Sequence, residues 1–282
     1  MTAPDGPHPT AVVDPRAQLG TGARVGAYSI IGPEVALGDG VEVGHHVVLE
    51  GRVMVGAGSR IGHGSVVGSP PQDLKFKDGT PSGVRIGEGT TLREYVTVHR
   101  ATQPGAWTTI GRGCLLMSMS HVAHDCRLGD GVIVINYAGI TGHCEIDEGA
   151  TVGGLTGVHP FCRIGAYAYV GGCSKITADV PPYTIVDGAP ATARGINVLG
   201  LRRSGVGAED RQLLRVAFRM LYRSGLAPRG ALDRIRDELP ATPHIVRLVQ
   251  FIEASKRGIC GPPRTGEDVR DDAPDDQGER VF

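Results

Sequence analysis

An aliphatic residue occupies every sixth position along most of the first two thirds of this chain of 282 residues. These positions are Val13, Leu19, Val25, Ile31, Leu37, Val43, Leu49, Val55, Ile61, Val67, Ile86, Leu92, Val98, Ile110, Leu116, Val122, Leu128, Val134, Ile140, Ile146, Val152, Val158, Ile164, Val170 and Ile176. A period of six fits neither the turn of an α-helix nor the alternation of an ordinary β-strand. It predicts a mainly β solenoid in which short strands and turns stack coil upon coil.

Three hexads make one 18-residue coil, so the 25 aliphatic positions predict about eight coils. Stacked at roughly 4.8 Å per coil, they would form a prism about 40 Å long. We expect the aliphatic residue and the small residue two places before it to point inward, and the other four positions to face outward. The repeat region is predicted to span residues 11–188, after an N-terminal extension of residues 1–10.

Two segments interrupt the repeat, at residues 69–85 and 101–109. Both contain Pro and Gly together with polar or charged residues, a composition that predicts loops projecting from the prism. Loops held on a rigid scaffold are common places for binding residues. We therefore expect both loops to contribute to a functional site.

The period changes from six residues to a helical spacing in the C-terminal third. Pro181 and Pro182 close the repeat, and an apolar stripe at helical spacing lies between Leu213 and Leu221. Two further helices are predicted near residues 231–239 and 244–259, which gives a small α-helical domain over residues 189–260. The tail, residues 261–282, has a net charge of −4 and little apolar content, and we expect it to be disordered.

The net charge, the lack of long apolar stretches and the positions of the cysteines indicate which classes of protein are not expected. The net charge of −1 argues against a bulk attraction to nucleic acid, and no apolar stretch approaches membrane-spanning length, so stable membrane insertion is not expected. Residues 1–10 do not resemble a signal peptide, and we expect a cytoplasmic protein. Cys126, Cys144 and Cys162 recur once per coil in the inward slot, which predicts stacked packing residues rather than disulfides or metal ligands.

Four histidines gather on one strip of the wall when the sequence is folded coil upon coil. Subtracting one coil of 18 residues places His143 at the level of position 125, and subtracting two coils places His159 at position 123. Both then lie beside His121 and His124. All four occupy outward slots on three successive coils. A cluster of this kind on an exposed wall predicts a functional site.

Two chemical interpretations of the histidine strip follow from the residues alone. Three imidazoles could hold Zn²⁺, as in carbonic anhydrases built on the hexapeptide fold. Alternatively, one imidazole acts as a general base, because a pKa near 6.5 leaves it largely neutral but able to accept a proton. Asp125 directly follows His124 and could orient its ring in either case.

Several motifs resemble the UDP-N-acetylglucosamine O-acyltransferases that begin lipid A synthesis. They are H-V-A-H-D-C at 121–126, T-G-H at 141–143, V-H-P-F-C at 158–162, Q-D-L-K at 72–75, T-V-H-R at 97–100, G-G-C-S at 171–174, D-V-P-P-Y at 179–183 and L-Y-R-S-G at 221–225. The resemblance covers residues 8–260. It implies a homotrimer of left-handed parallel β-helices with active sites in the clefts between subunits.

The resemblance also implies the reaction and the roles of individual residues. An (R)-3-hydroxyacyl group would pass from the phosphopantetheine thioester of acyl carrier protein to the 3-hydroxyl of UDP-N-acetylglucosamine, with no further cofactor and no metal. His124 would be the general base, Asp125 would orient it, and the Gly142 N–H would bind the oxyanion. The implied substrate-binding residues are Asp73, Lys75, His121, His143, His159, Asn197 and Arg203. Gly172 would set the acyl length, and the open groove beside a glycine favours a longer chain.

A basic segment between residues 200 and 236 carries nine arginines and three acidic residues, a local charge of +6. Either it is a solvated helix face, or it docks the acidic acyl carrier protein.

The chain departs from the family pattern at Pro160, Lys175, Leu199 and Ser204. These departures leave open a related acyltransferase that uses a 3-amino sugar nucleotide or a coenzyme A donor. The zinc-dependent hydratase and a non-enzymatic scaffold are more remote alternatives.

Overall fold

The computed structural model describes residues 6–262, which form a three-walled prism of stacked coils and a C-terminal helical region. Successive strands enter three sheets of 11, 9 and 8 strands in rotation. Within each wall the prism strands are parallel. The predicted β-helix with a C-terminal α-helical region is thereby confirmed.

Sheet 1 contains β1 (Gly6–Pro7), β4 (Arg24–Val25), β7 (Glu42–Val43), β10 (Arg60–Ile61), β13 (Thr91–Leu92), β16 (Leu115–Leu116), β19 (Ile133–Val134), β22 (Thr151–Val152), β25 (Tyr169–Val170), β27 (Thr184–Gly188) and β28 (Ala191–Ile196). Sheet 2 contains β2 (Val12–Val13), β5 (Ile30–Ile31), β8 (Val48–Leu49), β11 (Val66–Ser69), β14 (Thr97–His99), β17 (His121–Val122), β20 (Gly139–Ile140), β23 (Gly157–Val158) and β26 (Lys175–Ile176). Sheet 3 contains β3 (Gln18–Leu19), β6 (Val35–Leu37), β9 (Arg52–Val55), β12 (Gly83–Ile86), β15 (Trp107–Ile110), β18 (Arg127–Leu128), β21 (Glu145–Ile146) and β24 (Arg163–Ile164).

The strand register follows the regular coil spacing except where the loops enter. His121 on β17 pairs with Gly139 on β20, one regular coil later. Thr97 on β14 pairs with His121, which lies six residues beyond the position expected for a regular 18-residue coil. The second loop accounts for the extra residues. Arg60 on β10 pairs with Thr91 on β13, well beyond its regular partner position, because the first loop lengthens that coil even more. Both interruptions therefore leave the prism and return to it in register.

The interior of the prism is a column of aliphatic and small side chains. Leu116, Ile140 and Ile164 are fully buried, and the cysteines predicted to point inward, Cys126 and Cys144, are fully buried as well. All six cysteines are free thiols, five of them buried. The packing interpretation of the cysteine ladder is confirmed, since burial of close-packed side chains is what holds such coils together.

The C-terminal region begins with a hairpin rather than with a helix. β27 still pairs in parallel with β25 after Pro181-Pro182, and β28 pairs antiparallel with β27. Four helices follow: α1 (Val198–Arg203), α2 (Ala208–Arg223), α3 (Pro228–Glu238) and α4 (Pro243–Glu253). The short α1 was not predicted.

The chain after α4 returns to the prism, and α4 therefore ends at Glu253 instead of extending to residue 259. The Asp179 N–H donates to the Gly258 carbonyl at 2.9 Å, and the Cys260 N–H donates to the Asp179 carbonyl at 2.8 Å. The buried carboxylate of Asp179 also accepts from the Ser255 hydroxyl at 2.8 Å. These bonds hold the last described segment against the histidine-bearing end of the prism.

An ion pair fixes the helical region on the prism. The Arg247 guanidinium of α4 donates to both carboxylate oxygens of Glu148, with a distance of 2.7 Å from Nη2 to Oε2. Asp147 lies 3.7 Å from the same guanidinium. The hydrogen bond from Arg247 holds the pKa of the Glu148 carboxyl below its usual range.

The N-terminal segment is part of the first wall, because Gly6 and Pro7 pair with β4. Most of the tail that was predicted to be disordered, residues 261–282, lies outside the described part of the chain. Among residues 6–262 there is no helix that is long and apolar enough to cross a membrane. The cytoplasmic location stays a prediction.

Candidate active site

The candidate site is built on the corner between sheets 2 and 3 over three successive coils. Asp125, His143 and Phe161 occupy the same position of these coils, with left-handed φ values of 60°, 62° and 65°. A non-glycine residue in this region carries a backbone strain of about 1 kcal/mol or more. The packed coils impose the same turn three times and so place the three side chains in one column.

His124 and Asp125 form a hydrogen-bonded pair. The Nδ1 atom of His124 lies 2.8 Å from Oδ2 of Asp125, and the two side chains are only 14% and 13% exposed. An ionised carboxylate only accepts hydrogen bonds, so Nδ1 carries the proton and Nε2 of the neutral ring is left as a base. The pair has the arrangement required of a histidine general base with an orienting carboxylate.

His143 completes the corner. Its Nε2 lies 3.7 Å from Oδ2 of Asp125, and its ring meets the His124 ring edge-on at a centroid distance of 5.1 Å. On the other side it stacks on Phe161, with centroids 4.6 Å apart and planes 3° from parallel. The Phe161 ring is 58% exposed, so it lies on the surface of the site.

Gly142 is required for space beside the His124 ring. A Cβ atom built on Gly142 would lie 2.5 Å from Cε1 and 2.8 Å from Nε2 of His124. Within residues 6–262, the Gly142 N–H donates to no hydrogen-bond acceptor. A free backbone donor next to the basic nitrogen is suited to bind a developing oxyanion.

His121 belongs to a second histidine pair on sheet 2. Burial, together with the neighbouring His99 and His124, lowers the pKa of His121 to about 4. Its Nδ1 lies 2.7 Å from the Thr97 hydroxyl, and its ring meets the His99 ring edge-on at 4.9 Å. His121 is therefore neutral at neutral pH and acts through hydrogen bonds rather than through charge.

His159 lies further along the strip and meets the returning C-terminal segment. The Nη2 atom of Arg257 lies 3.2 Å from Nδ1 of His159 and 3.5 Å from the Thr177 carbonyl. Since a guanidinium only donates, Nδ1 accepts in this contact. The Arg257 cation thus lies beside His159, one of the implied substrate-binding residues.

The remaining predicted residues lie on other elements. Asp73 and Lys75 share a turn of the first loop, where Oδ1 of Asp73 accepts from the Lys75 N–H at 2.9 Å. Arg203 is exposed in the last turn of α1. A Cβ on Gly172 would approach the Gly154 carbonyl oxygen at 3.3 Å.

Asn197 caps α1 instead of pointing freely toward the strip. Its Oδ1 accepts from the Gly200 N–H at 3.0 Å, and its Nδ2 donates to the Tyr167 carbonyl at 2.8 Å. A substrate contact from Asn197 stays a prediction and would have to use the remaining amide hydrogen.

His124, Asp125 and His143 are also the described residues that could hold a metal ion, with one donor atom from each lying within 4.8 Å of the others. The carboxylate of Asp125 already accepts hydrogen bonds from His124 and Thr102. The group found among residues 6–262 contains only two imidazoles, whereas the zinc interpretation requires three. The geometry favours the general-base interpretation over the zinc interpretation.

Sequence reasoning missed several residues of the site. Phe161 lies one coil after His143 and could have been found with the regular coil spacing. Thr102 lies inside an interruption of the repeat and Arg257 lies after its end, so counting by coils reaches neither. His99 belongs to the T-V-H-R motif, but no role was predicted for it.

A hexapeptide-repeat prism that carries a paired His and Asp on its wall defines an acyltransferase of the hexapeptide class. The C-terminal region, residues 179–260, matches the family model for domain 2 of UDP-N-acetylglucosamine O-acyltransferase. The chain belongs to the acyl-[acyl-carrier-protein]–UDP-N-acetylglucosamine O-acyltransferase family, as the motifs predicted.

Relatives with this name align with the chain over nearly their whole length. The enzyme of Sulfurihydrogenibium is 56% identical over 254 residues, which cover 90% of this chain and 93% of the relative. That of Trichlorobacter lovleyi is 53% identical and covers 90% and 98%. The crystal structure of a UDP-N-acetylglucosamine acyltransferase from Bacteroides fragilis superposes with a TM-score of 0.87 at 37% identity, covering 89% of this chain and 98% of that one.

Replacing Gly142 by Ala should reduce turnover strongly without unfolding the protein. The new methyl group would displace the His124 ring from the position in which Nε2 faces the site. We expect kcat to fall by about 10²-fold, because small misplacements of a reacting group cost that much. Steady-state kinetics measures this loss, and thermal unfolding checks the fold. Gly207→Ala is a control outside the histidine strip, because a Cβ at Gly207 meets nothing within 4 Å. Equal effects of the two substitutions would contradict the steric explanation.

Proposed function

We propose that this chain transfers an (R)-3-hydroxyacyl group from acyl carrier protein to the 3-hydroxyl of UDP-N-acetylglucosamine, the first step of lipid A synthesis. The observation that carries the proposal is the His124–Asp125 pair, in which Nδ1 is occupied and Nε2 is a base. Family membership supports the same reaction. The chemistry of the site residues accounts for each step of it.

His124 begins the reaction by removing the proton of the sugar hydroxyl through Nε2. The hydroxyl oxygen attacks the thioester carbonyl carbon, and the Gly142 N–H binds the oxyanion that forms. Asp125 stabilises the imidazolium through Nδ1. When the tetrahedral intermediate collapses, the carbon–sulfur bond breaks and the thiolate takes the proton from His124, which returns the ring to its neutral form.

The strip around this pair would bind the acceptor. His121, being neutral, offers hydrogen bonds to sugar hydroxyls, and His143 is fixed against Phe161 to contact sugar or acyl chain. His159, next to the Arg257 guanidinium, suits the anionic nucleotide. Asp73 and Lys75 on the first loop, with Asn197 and Arg203 on the helical side, are proposed as further substrate contacts.

The donor would dock through the helical region. Exposed arginines on α1, on α2 and in the first turn of α3, among them Arg203, Arg219 and Arg229, give this region a positive surface. Charge complementarity of this kind favours an acidic partner such as acyl carrier protein and speeds its encounter.

Replacing His124 by Ala should abolish most of the turnover, because the general base contributes about 10² to 10⁴-fold to the rate. The assay follows acyl transfer from acyl carrier protein and from coenzyme A thioesters to 3-hydroxy and 3-amino sugar nucleotides. We expect activity with acyl carrier protein and the 3-hydroxy acceptor. His8→Ala, which changes a remote histidine, should leave it intact. Near-normal activity of the His124 variant would remove the general-base assignment.

We also propose that the chain acts as a homotrimer with its sites between subunits. The corner between sheets 1 and 2 carries a column of exposed apolar side chains, which include Tyr28, Tyr95, Met119, Tyr137 and Leu155 at 46–63% exposure. His46 and Gly64 separate Tyr28 from the rest of the column, whereas the residues from Tyr95 to Leu155 stand on successive coils. An apolar surface of this kind is typical of an interface. It flanks the wall that bears the histidines, so a neighbouring subunit packed there would turn the open strip into a cleft.

The substitution Tyr137→Asp should dissociate the trimer, because it places a charge in the centre of this apolar column. Sedimentation would show a trimer for the natural protein and smaller species for the variant, and activity should fall with the trimer. Cys173 is exposed in the same column, so its reaction with a thiol reagent should become faster on dissociation. Leu226→Asp changes an exposed leucine of the helical region and serves as the control. A monomeric natural protein with full activity would refute the assembly.

Gly172 is proposed to leave room for a long acyl chain. Replacing it by Met should shift the preference toward a shorter chain by filling that space. Competition among acyl carrier protein thioesters of increasing length measures the preference. Best activity of the natural protein with short chains would refute this role.

A further inference from the structure

The second loop contacts Asp125 from both of its ends. At its start, the Thr102 N–H lies 3.2 Å from each carboxylate oxygen of Asp125, and the Thr102 hydroxyl donates to Oδ2 at 2.8 Å. On β15, where the loop rejoins the prism, the buried Thr108 hydroxyl accepts from the Asp125 backbone N–H at 2.9 Å. Both the start of the loop and the strand that follows it therefore contact Asp125, the residue that orients His124.

These contacts determine which way the carboxylate faces. Oδ2 accepts both from Nδ1 of His124 and from the Thr102 hydroxyl, while Oδ1 receives the Thr102 N–H. A carboxylate rotates easily about its last bond unless both oxygens are held, since that torsion is broad. Thr102 therefore holds both oxygens of the carboxylate that His124 contacts through Oδ2.

The same donors act on the charge of Asp125. Burial by itself raises the pKa of this carboxyl, but the hydrogen bonds from His124 and then from Thr102 outweigh it, so the pKa lies below its usual value. Asp125 is ionised at neutral pH and accepts from Nδ1 of His124.

The second loop is in turn fixed by the end of the first loop. The Ser82 hydroxyl donates to the Ala101 carbonyl at 2.5 Å, the Ala101 N–H donates to the Gly83 carbonyl at 3.4 Å, and the Gly105 N–H donates to the Pro81 carbonyl at 2.8 Å. Ala101 is fully buried. Thr102 therefore stands on a braced segment, and the two interruptions of the repeat form one structural unit behind the site.

We propose that Thr102 is a positioning residue of the acyl transfer, which holds the Asp125 carboxylate in the orientation that keeps Nδ1 of His124 protonated and Nε2 basic. This inference rests on the proposed general-base function of His124. Thr102 acts through Asp125 and does not contact the reacting atoms.

The test is a double-mutant cycle between Thr102→Val and Asp125→Asn. Valine keeps the shape and the backbone N–H but removes the hydroxyl donor. We expect kcat to fall about tenfold, the effect of losing one charge-assisted hydrogen bond, with KM for both substrates within twofold and an unchanged Tm. In the Asp125→Asn background the same change should have almost no further effect on kcat. Thr102→Ser should restore most of the activity.

Thr109→Val is the matched control, because Thr109 lies on β15 of the neighbouring wall and pairs there with Arg127 rather than with Asp125. Additive losses in the double variant, or equal losses in Thr109→Val, would overturn the positioning role. Nitrogen-15 chemical shifts of His124 give a readout that does not require turnover. They should show one neutral tautomer in the natural protein and a mixture in Thr102→Val. If the tautomer shifts as expected but no acyl transfer is found, the proposed function fails while the positioning role stands.

Discussion

Parallel pairing of coils in constant register is the constraint on which the rest of the structure depends. Each inward aliphatic side chain packs on the equivalent residues one coil before and one coil after, as Val122 does through the pairing of β17 with β14 and β20. Shifting this register by one residue would turn the buried set outward, so burial of the apolar column fixes it strongly. Every outward residue then has a determined place on the wall.

The active corner is a product of that register. The same left-handed turn recurs at Asp125, His143 and Phe161, and three successive coils therefore present a carboxylate, an imidazole and an aromatic ring in one column. His124 precedes Asp125 directly and is drawn against Gly142, where only a glycine leaves space for the ring. Core packing of the scaffold offsets the strained backbone, and the result is a rigid His–Asp pair.

Elements outside the repeat complete the site by reaching back to it. The second loop supplies donors to Asp125, and the first loop braces the second. The C-terminal segment, tied to the buried Asp179, brings Arg257 to His159. Arg247 of α4 and Glu148 of the prism hold the helical region in a fixed place, so that its basic surface keeps a constant relation to the histidine strip.

The sequence alone determined the prism, the inward position of the cysteines and the gathering of four histidines, because all of these follow from a period that repeats without change. It placed His124 and Asp125 next to each other but did not decide their contact, since neighbouring outward residues on a strand need not touch. The tertiary structure decided the partners of that pair. Thr102 lies inside the second interruption, His99 just before it and Arg257 after the repeat, where counting by whole coils fails, because contacts between segments of irregular length depend on packing rather than on spacing. Thr108 lies one regular coil before Cys126, and its contact with Asp125 could have been found by counting. The hairpin after Pro182 and the capping role of Asn197 escaped prediction because they also depend on packing rather than on spacing.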